Sequence, residues 1–99
     1  MIEIIANFAA GALLCNCIPH LTAGLRGERF PTPFARPPGI GNSHPVLNVV
    51  WGLINAVAAI LLIDYAPVTV GINPSFISTV LGALLSGSIL AYYFNRVRS

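Results

Sequence analysis

The side chains of this sequence that could do chemistry lie inside apolar stretches. Four of them recur at steps of four, three and four residues: His44, Asn48, Trp51 and Asn55. Steps of this size place all four on one face of a helix. An earlier apolar stretch adds Asn16 and the pair Pro19-His20. Because polar groups are costly within a membrane and tend to have a task there, these side chains are candidates for lining a solute path.

Three interpretations of this polar face are open. In the first, the asparagines form hydrogen bonds between helices, His20 bonds a carbonyl freed by Pro19, and Trp51 packs or anchors its helix. In the second, the face lines a cleft or pore for a small solute, and Pro19 is a kink that lets the helix bend between states. In the third, His20 and His44 are the axial ligands of a haem or bind a metal, since imidazoles from adjacent helices can do so.

Other kinds of catalytic chemistry have no matching pattern. Cys15 and Cys17 are two residues apart, so on a helix they point in nearly opposite directions and cannot pair with each other. The acidic residues Glu3, Glu28 and Asp64 all lie outside the apolar stretches. No nucleophile, histidine and acid set and no phosphate-binding loop is recognisable. The sequence therefore predicts a protein that is not an enzyme and that carries no cofactor.

The amino-acid composition predicts that these residues lie in a membrane and not in a water-soluble domain. The chain has 99 residues, of which 56% are hydrophobic and 8% charged, with a mean hydropathy of +0.79. A soluble domain carries roughly a quarter charged residues, so this chain cannot cover a surface in water. The composition excludes a soluble enzyme, a secreted disulfide miniprotein and a disordered tail. A net charge of +2 without any lysine or basic run also argues against a nucleic-acid partner.

Three uncharged stretches, residues 4–25, 46–63 and 76–94, are each long enough to cross a bilayer. As helices they would reach roughly 27 to 33 Å, which matches a hydrocarbon core of about 30 Å. We predict one all-α membrane domain over residues 1–99, with helices at about 2–25, 45–64 and 75–95. Ser43 is expected to cap the second helix, and Asn73 with Pro74 to begin the third. A proline-rich loop, 26–43, joins the first two helices, and we expect it to lie along the headgroups or against the helix ends.

The charges predict an orientation. All five basic residues fall on the side that holds the first loop and the C-terminus: Arg26, Arg29, Arg36, Arg96 and Arg98. By the positive-inside rule this side faces the cytoplasm and the N-terminus faces out. The start of the chain does not resemble a removable signal peptide or an organellar targeting segment. We therefore expect a bacterial inner (cytoplasmic) membrane protein.

Small residues recur at helical spacing on every predicted helix. The set expected to mediate close packing is Gly11, Gly52, Ser78, Gly82, Ser86 and Gly87. Lipid gives helices no hydrophobic drive to associate, so such positions carry packing in membranes. They could serve only to hold the three helices together. They could equally mediate a homo-oligomer or docking into a larger membrane complex.

In outline the chain resembles the half-size sugar transporters of the PQ-loop type, which have three helices and act as homodimers. Pro19-His20 stands where that family has a Pro-Gln pair, and Trp51 matches its cavity tryptophan. The chain departs from the family in lacking an asparagine midway along the third span and in its longer first loop. We predict a homo-oligomeric channel or carrier for a small solute, with a non-catalytic accessory subunit as the alternative.

Overall fold

The fold is described from a computed structural model that covers residues 1–98. It contains three helices and no strand within those residues: α1 (Ile2–Leu25), α2 (Pro45–Tyr65) and α3 (Pro74–Arg98). Each helix is long and apolar enough to cross a membrane, and the chain is 39 Å along its longest axis. These dimensions match a bilayer with its interfaces. The prediction of an all-α protein with three helices long and apolar enough to span a membrane is confirmed.

The three helices do not form a closed triangle. Helix α1 packs against both α2 and α3, whereas no Cα atoms of α2 and α3 approach within 8 Å among residues 1–98. The chain therefore has two separate helix interfaces, and both are built on α1. Within the described part of α3, only Ser78 and Gly82 are buried.

The interior of the bundle is small and polar, while its surface is large and aliphatic. All buried hydrophobic residues are alanines except Cys17, and the largest fully buried side chains include Asn7 and Asn48. Leucine, isoleucine and valine side chains lie at the surface, for example Ile60 and Leu84. This distribution is the reverse of a soluble core, because lipid is as good a solvent for leucine as another leucine is. It indicates an integral membrane protein.

The helix starts follow local capping rules, with one correction to the sequence analysis. The prediction that Ser43 caps α2 is wrong. His44 is the cap residue, and its Nδ1 accepts a hydrogen bond from the Val46 N–H at 3.0 Å. At α3, Asn73 Oδ1 accepts from the Phe76 N–H at 3.0 Å, as its position before Pro74 predicts.

The loop of residues 26–43 folds against the ends of the helices. Pro31 and Thr32 are buried, and Phe30 pairs with Ser43 through two backbone hydrogen bonds of 2.9 and 3.4 Å. The hydroxyls of Thr32 and Ser43 are 2.6 Å apart. Ser43 does not cap α2 because the helix begins at Pro45, so His44 holds the cap position. From α3, the hydroxyl of Tyr93 donates to the carbonyl of Gly39 at 2.7 Å. We call this end of the bundle, with the C-terminal turns of α3, the loop end.

Candidate functional site

The polar residues predicted to line a solute path lie mainly between α1 and α2. We use the name polar seam for Asn16 and His20 on α1 with Asn48 and Asn55 on α2. Gly52, one turn from each of the two α2 asparagines, permits the close approach that these short side chains need. A methyl group on Gly52 would lie 3.0 Å from the backbone nitrogen of Leu21.

Asn48 is the centre of the polar seam and is completely buried. Its amide nitrogen donates to the carbonyl of Phe30 at 3.0 Å. The same nitrogen lies 3.3 Å from the carbonyl oxygens of Ser43 and His44. Its side-chain oxygen is 3.0 Å from Nδ1 of His20. A single side chain thus connects α1, α2 and the loop.

These contacts determine which nitrogen of His20 carries a proton. Carbonyl oxygens only accept, so the three carbonyls around Asn48 fix the orientation of its amide, with the nitrogen toward them. The Asn48 oxygen therefore faces His20, and Nδ1 of the imidazole must be the donor. Nε2 has no hydrogen-bond partner within residues 1–98. The ring lies edge-on to Phe30, Trp51 and Phe94, with centroid distances of 5.5, 6.5 and 6.2 Å.

The second half of the polar seam lies deeper in the bundle. Asn16 donates from its amide to the side-chain oxygen of Asn55 at 2.9 Å. Asn55 in turn donates to the carbonyl of Trp51, one turn earlier on α2, at 2.8 Å. Asn55 is buried, so both of its polar atoms are used within the bundle. Within residues 1–98, every side-chain nitrogen or oxygen atom that is fully shielded from solvent has a hydrogen-bond partner.

The two histidines have different environments. His20 is 3% exposed and enclosed by aromatic rings, whereas His44 is exposed at the start of α2, where it caps the helix. Trp51 is half-buried and stacks edge-on with Phe34 of the loop at 5.2 Å. Pro19, the predicted kink, lies within α1 without ending it. No group of three or more His, Cys, Asp or Glu side chains among residues 1–98 could hold a metal ion.

The interface between α1 and α3 is built differently. A Cβ atom on Gly11 would overlap the carbonyl oxygen of Thr79, and one on Gly82 would overlap that of Phe8. The backbones of the two helices are therefore in direct contact. Two serine hydroxyls of α3 donate to α1 carbonyls, Ser78 to Ile4 at 2.8 Å and Ser86 to Ala12 at 3.1 Å.

Gly87 completes this interface toward the loop end, where a Cβ would lie 3.0 Å from Sγ of Cys15. Five of the six residues predicted to mediate close packing thus contact α1 from α3 or belong to α1 itself, and Gly52 contacts α1 from α2.

A further buried polar residue, Asn7, lies outside the predicted solute-path set. Asn7 is 1% exposed, and its amide donates to the carbonyl of Ala66, just after α2, at 2.7 Å. This bond ties the start of α1 to the end of α2, far from the loop end. The sequence does place Asn7 one turn before Gly11, on a face of small and polar residues suited to a partner helix. The partner is a backbone carbonyl, which leaves no pattern in the sequence.

Comparisons with known protein families, with curated proteins and with solved structures find no match for this chain. The resemblance to PQ-loop transporters therefore remains one of outline, and the site must be interpreted from its own geometry.

Proposed function

We propose that this chain is a non-catalytic integral membrane subunit, whose buried polar groups hold its own helices together. One observation carries this proposal. The side chains that could line a solute path, above all Asn16, Asn48 and Asn55, bond to each other, to His20 and to backbone carbonyls. A solute-binding face would need polar atoms left free to exchange water for solute.

The small-residue faces support the same proposal. Gly11 and Gly82 bring α1 and α3 into backbone contact, so these positions are already occupied within one chain. They are not available for docking another protein. The loop end remains as the surface that could meet a larger membrane complex. It carries the arginines, and its side chains Phe34 and Ile40 are 60% and 54% exposed.

Substitution of Asn55 by leucine separates this proposal from transport. We expect Asn55→Leu to lower the stability of the bundle, because Asn16 loses its acceptor. We also expect liposomes containing the wild-type chain to take up glycerol and glucose no faster than empty liposomes, by stopped-flow light scattering. Uptake by the wild type that Asn55→Leu abolishes without loss of stability would overturn the proposal.

A homo-oligomeric channel or carrier is the second candidate, and a specific observation favours it. The indole N–H of Trp51 and Nε2 of His20 have no hydrogen-bond partner within residues 1–98, and the two rings are 6.5 Å apart. Two ring nitrogens without partners, on neighbouring side chains, could bind a small polar solute. This candidate expects a closed homo-oligomer by native mass spectrometry, with glucose or glycerol uptake that Trp51→Phe lowers. The first candidate expects a defined complex with other chains.

The orientation belongs to the proposal as well. We place the loop end at the cytoplasmic face of a bacterial inner membrane, since all five arginines lie there. A cysteine introduced at the exposed Arg36 tests this, because a membrane-impermeant maleimide should label it in inverted vesicles and not in intact spheroplasts. Labelling in spheroplasts would reverse the orientation.

A further inference from the structure

A cleft runs along the surface between α1 and α3 at the loop end, and its two halves differ in chemistry. The apolar half, of about 330 Å³, is lined on α1 by Ile18 and on α3 by Gly87, Leu90 and Ala91. The basic half, of about 400 Å³, is lined by Arg26, Arg29 and Arg98 together with Glu28. Pro19 and Phe30 line both halves, so the two are continuous. We call this feature the α1–α3 cleft.

The arginines of the α1–α3 cleft are not equivalent. Arg26 is paired with the carboxylate of Glu28 at 2.7 Å. Arg98 is held in place, because its guanidinium lies 4.9 Å from the ring centre of Phe30 and donates to Asn42 Oδ1 at 3.1 Å. Arg29 has no partner within residues 1–98. Three arginines against one glutamate leave a net positive charge at the mouth of the cleft, with one guanidinium fully free to bind an anion.

The apolar half is long enough to hold most of one lipid chain. Along α3 it runs from Gly87 to Phe94, which is roughly 10 Å at the helical rise. This is about two thirds of the depth of one leaflet, which is half of a 30 Å hydrocarbon core. The small side chains of Gly87 and Ala91 leave the groove open on the α3 side. The basic half lies at the end of the helices, where headgroups are found.

We propose that the α1–α3 cleft binds one anionic phospholipid, with its phosphate at Arg29 and Arg98 and an acyl chain along Ile18, Gly87 and Ala91. Guanidinium groups are suited to phosphate because they present several N–H donors in a fixed plane. A free phosphate ion would use the basic half alone and would leave the apolar half without an occupant. The proposal does not depend on whether the chain is an accessory subunit or a carrier.

The test is native mass spectrometry of the full chain in detergent, titrated with dioleoyl phosphatidylglycerol or with dioleoyl phosphatidylcholine. The two lipids have the same acyl chains and a phosphate, but only the first has a net negative charge. We expect the wild type to bind the anionic lipid about tenfold more tightly, because the choline cation of the second lipid is repelled by the net positive charge of the cleft. Equal affinity for the two lipids would overturn the proposal.

Matched variants test each half. Arg29→Gln should weaken binding of the anionic lipid about tenfold, whereas Arg36→Gln, on the same loop but outside the cleft, should leave it unchanged. Ala91→Trp should block the acyl groove, whereas Ser88→Trp, an exposed neighbour on α3, should not. If Arg36→Gln loses as much lipid affinity as Arg29→Gln, the lipid is attracted by the overall positive charge alone. If Ala91→Trp binds the lipid as well as the wild type does, the acyl chain does not lie in the cleft. Either result overturns the proposal.

Competition with inorganic phosphate tests whether the basic half binds free phosphate instead of a lipid headgroup. Added in excess over the lipid, inorganic phosphate should fail to displace dioleoyl phosphatidylglycerol, since it gains nothing from the apolar half. Displacement would assign the basic half to free phosphate and overturn the lipid site. The melting temperature of each variant in detergent shows that it is folded, and Arg29, Ala91 and their controls are all exposed side chains.

Discussion

The two helix interfaces of this protein join the same helix by different means. Between α1 and α2, buried side chains bond across the gap, with Asn48 and Asn55 as centres. Between α1 and α3, the backbones meet directly at Gly11 and Gly82, and the hydrogen bonds come from serines to main-chain carbonyls.

The difference teaches that one membrane bundle can use two kinds of specificity. An asparagine carboxamide needs a hydrogen-bond partner at a matching position along the neighbouring helix. Hydrogen bonding therefore sets the register of the α1–α2 interface. A glycine needs only the absence of a side chain, so the α1–α3 interface specifies register through shape. Along their central turns, the first should be sensitive to the loss of polar atoms, and the second to the addition of volume. Toward the loop end the α1–α2 interface also has a close backbone contact, since a Cβ on Gly24 would lie 2.6 Å from the carbonyl oxygen of Pro45.

The strongest test of this comparison adds one methyl group to each interface. Gly11→Ala should lower the free energy of unfolding by about 3 kcal/mol, the upper part of the range for overpacking, because its Cβ meets the Thr79 carbonyl. Gly52→Ala should cost about 1 kcal/mol, since its methyl stands 3.0 Å from the Leu21 nitrogen and a small shift relieves it. Steric trapping in mixed micelles measures both. If Gly52→Ala is as damaging as Gly11→Ala, the two interfaces do not differ in tolerance of volume.

The next test removes the centre of the polar seam. Asn48→Leu should lower the free energy of unfolding by about 2 kcal/mol, since the bond to the loop carbonyl of Phe30 is lost and the Nδ1 proton of His20 on α1 is left without an acceptor. Asn95→Leu, the same change at an exposed position on α3, is the control and should have little effect.

A spectroscopic signature accompanies the Asn48 substitution. In the wild type, nitrogen-15 spectra of His20 should show the proton on Nδ1, and Asn48→Leu should release this preference. Retention of the same tautomer in the variant would contradict the assigned orientation of the Asn48 amide.

A smaller effect is expected from a single bond within the polar seam. A double-mutant cycle of Asn16→Ala and Asn55→Ala should give a coupling energy of about 0.6 kcal/mol, typical of interhelical hydrogen bonds in membranes. The pair Asn16→Ala and Ser86→Ala should be additive, because Ser86 bonds to Ala12 at the other interface. Coupling in the second pair would show that the two interfaces are not independent.

The smallest effect tests the polar part of the glycine interface. Ser86→Ala should cost about 0.5 kcal/mol, because the backbone contacts at Gly11 and Gly82 persist without this hydroxyl. Ser88→Ala, an exposed serine two residues on, should leave the unfolding free energy unchanged. A loss as large as that of Asn48→Leu would mean that the α1–α3 interface also depends on side-chain hydrogen bonds.

The helices could be predicted from the sequence because their signal is local. Apolar length is countable, and Asn73-Pro74 marks the start of α3 by capping chemistry alone. The central position of α1 could not be predicted, because all three helices carry small residues at helical spacing. Which of these small-residue faces pack together depends on the shape complementarity of two helix surfaces. That complementarity cannot be deduced from either sequence segment alone.

The site was harder to predict for a related reason. The spacing of Asn48 and Asn55 predicts that they share one helix face, and both are buried, but spacing says nothing about their partners. Asn48 bonds a loop carbonyl at Phe30, and Ser43 turns to Thr32 and leaves the cap of α2 to His44. These hydrogen bonds depend on how the loop folds back over the helix ends. The spacing of residue types along the sequence does not predict that fold.

The central position of α1 also has a consequence for how the protein is made. The helix that both others require is the first of the three to leave the ribosome, so each later helix enters the bilayer with its docking surface already present. Until α2 arrives, Asn7, Asn16 and His20 have none of their final partners. The polar side chains of α1 therefore lack these hydrogen bonds while the loop is being synthesised, and α3 joins a hairpin that is already bonded.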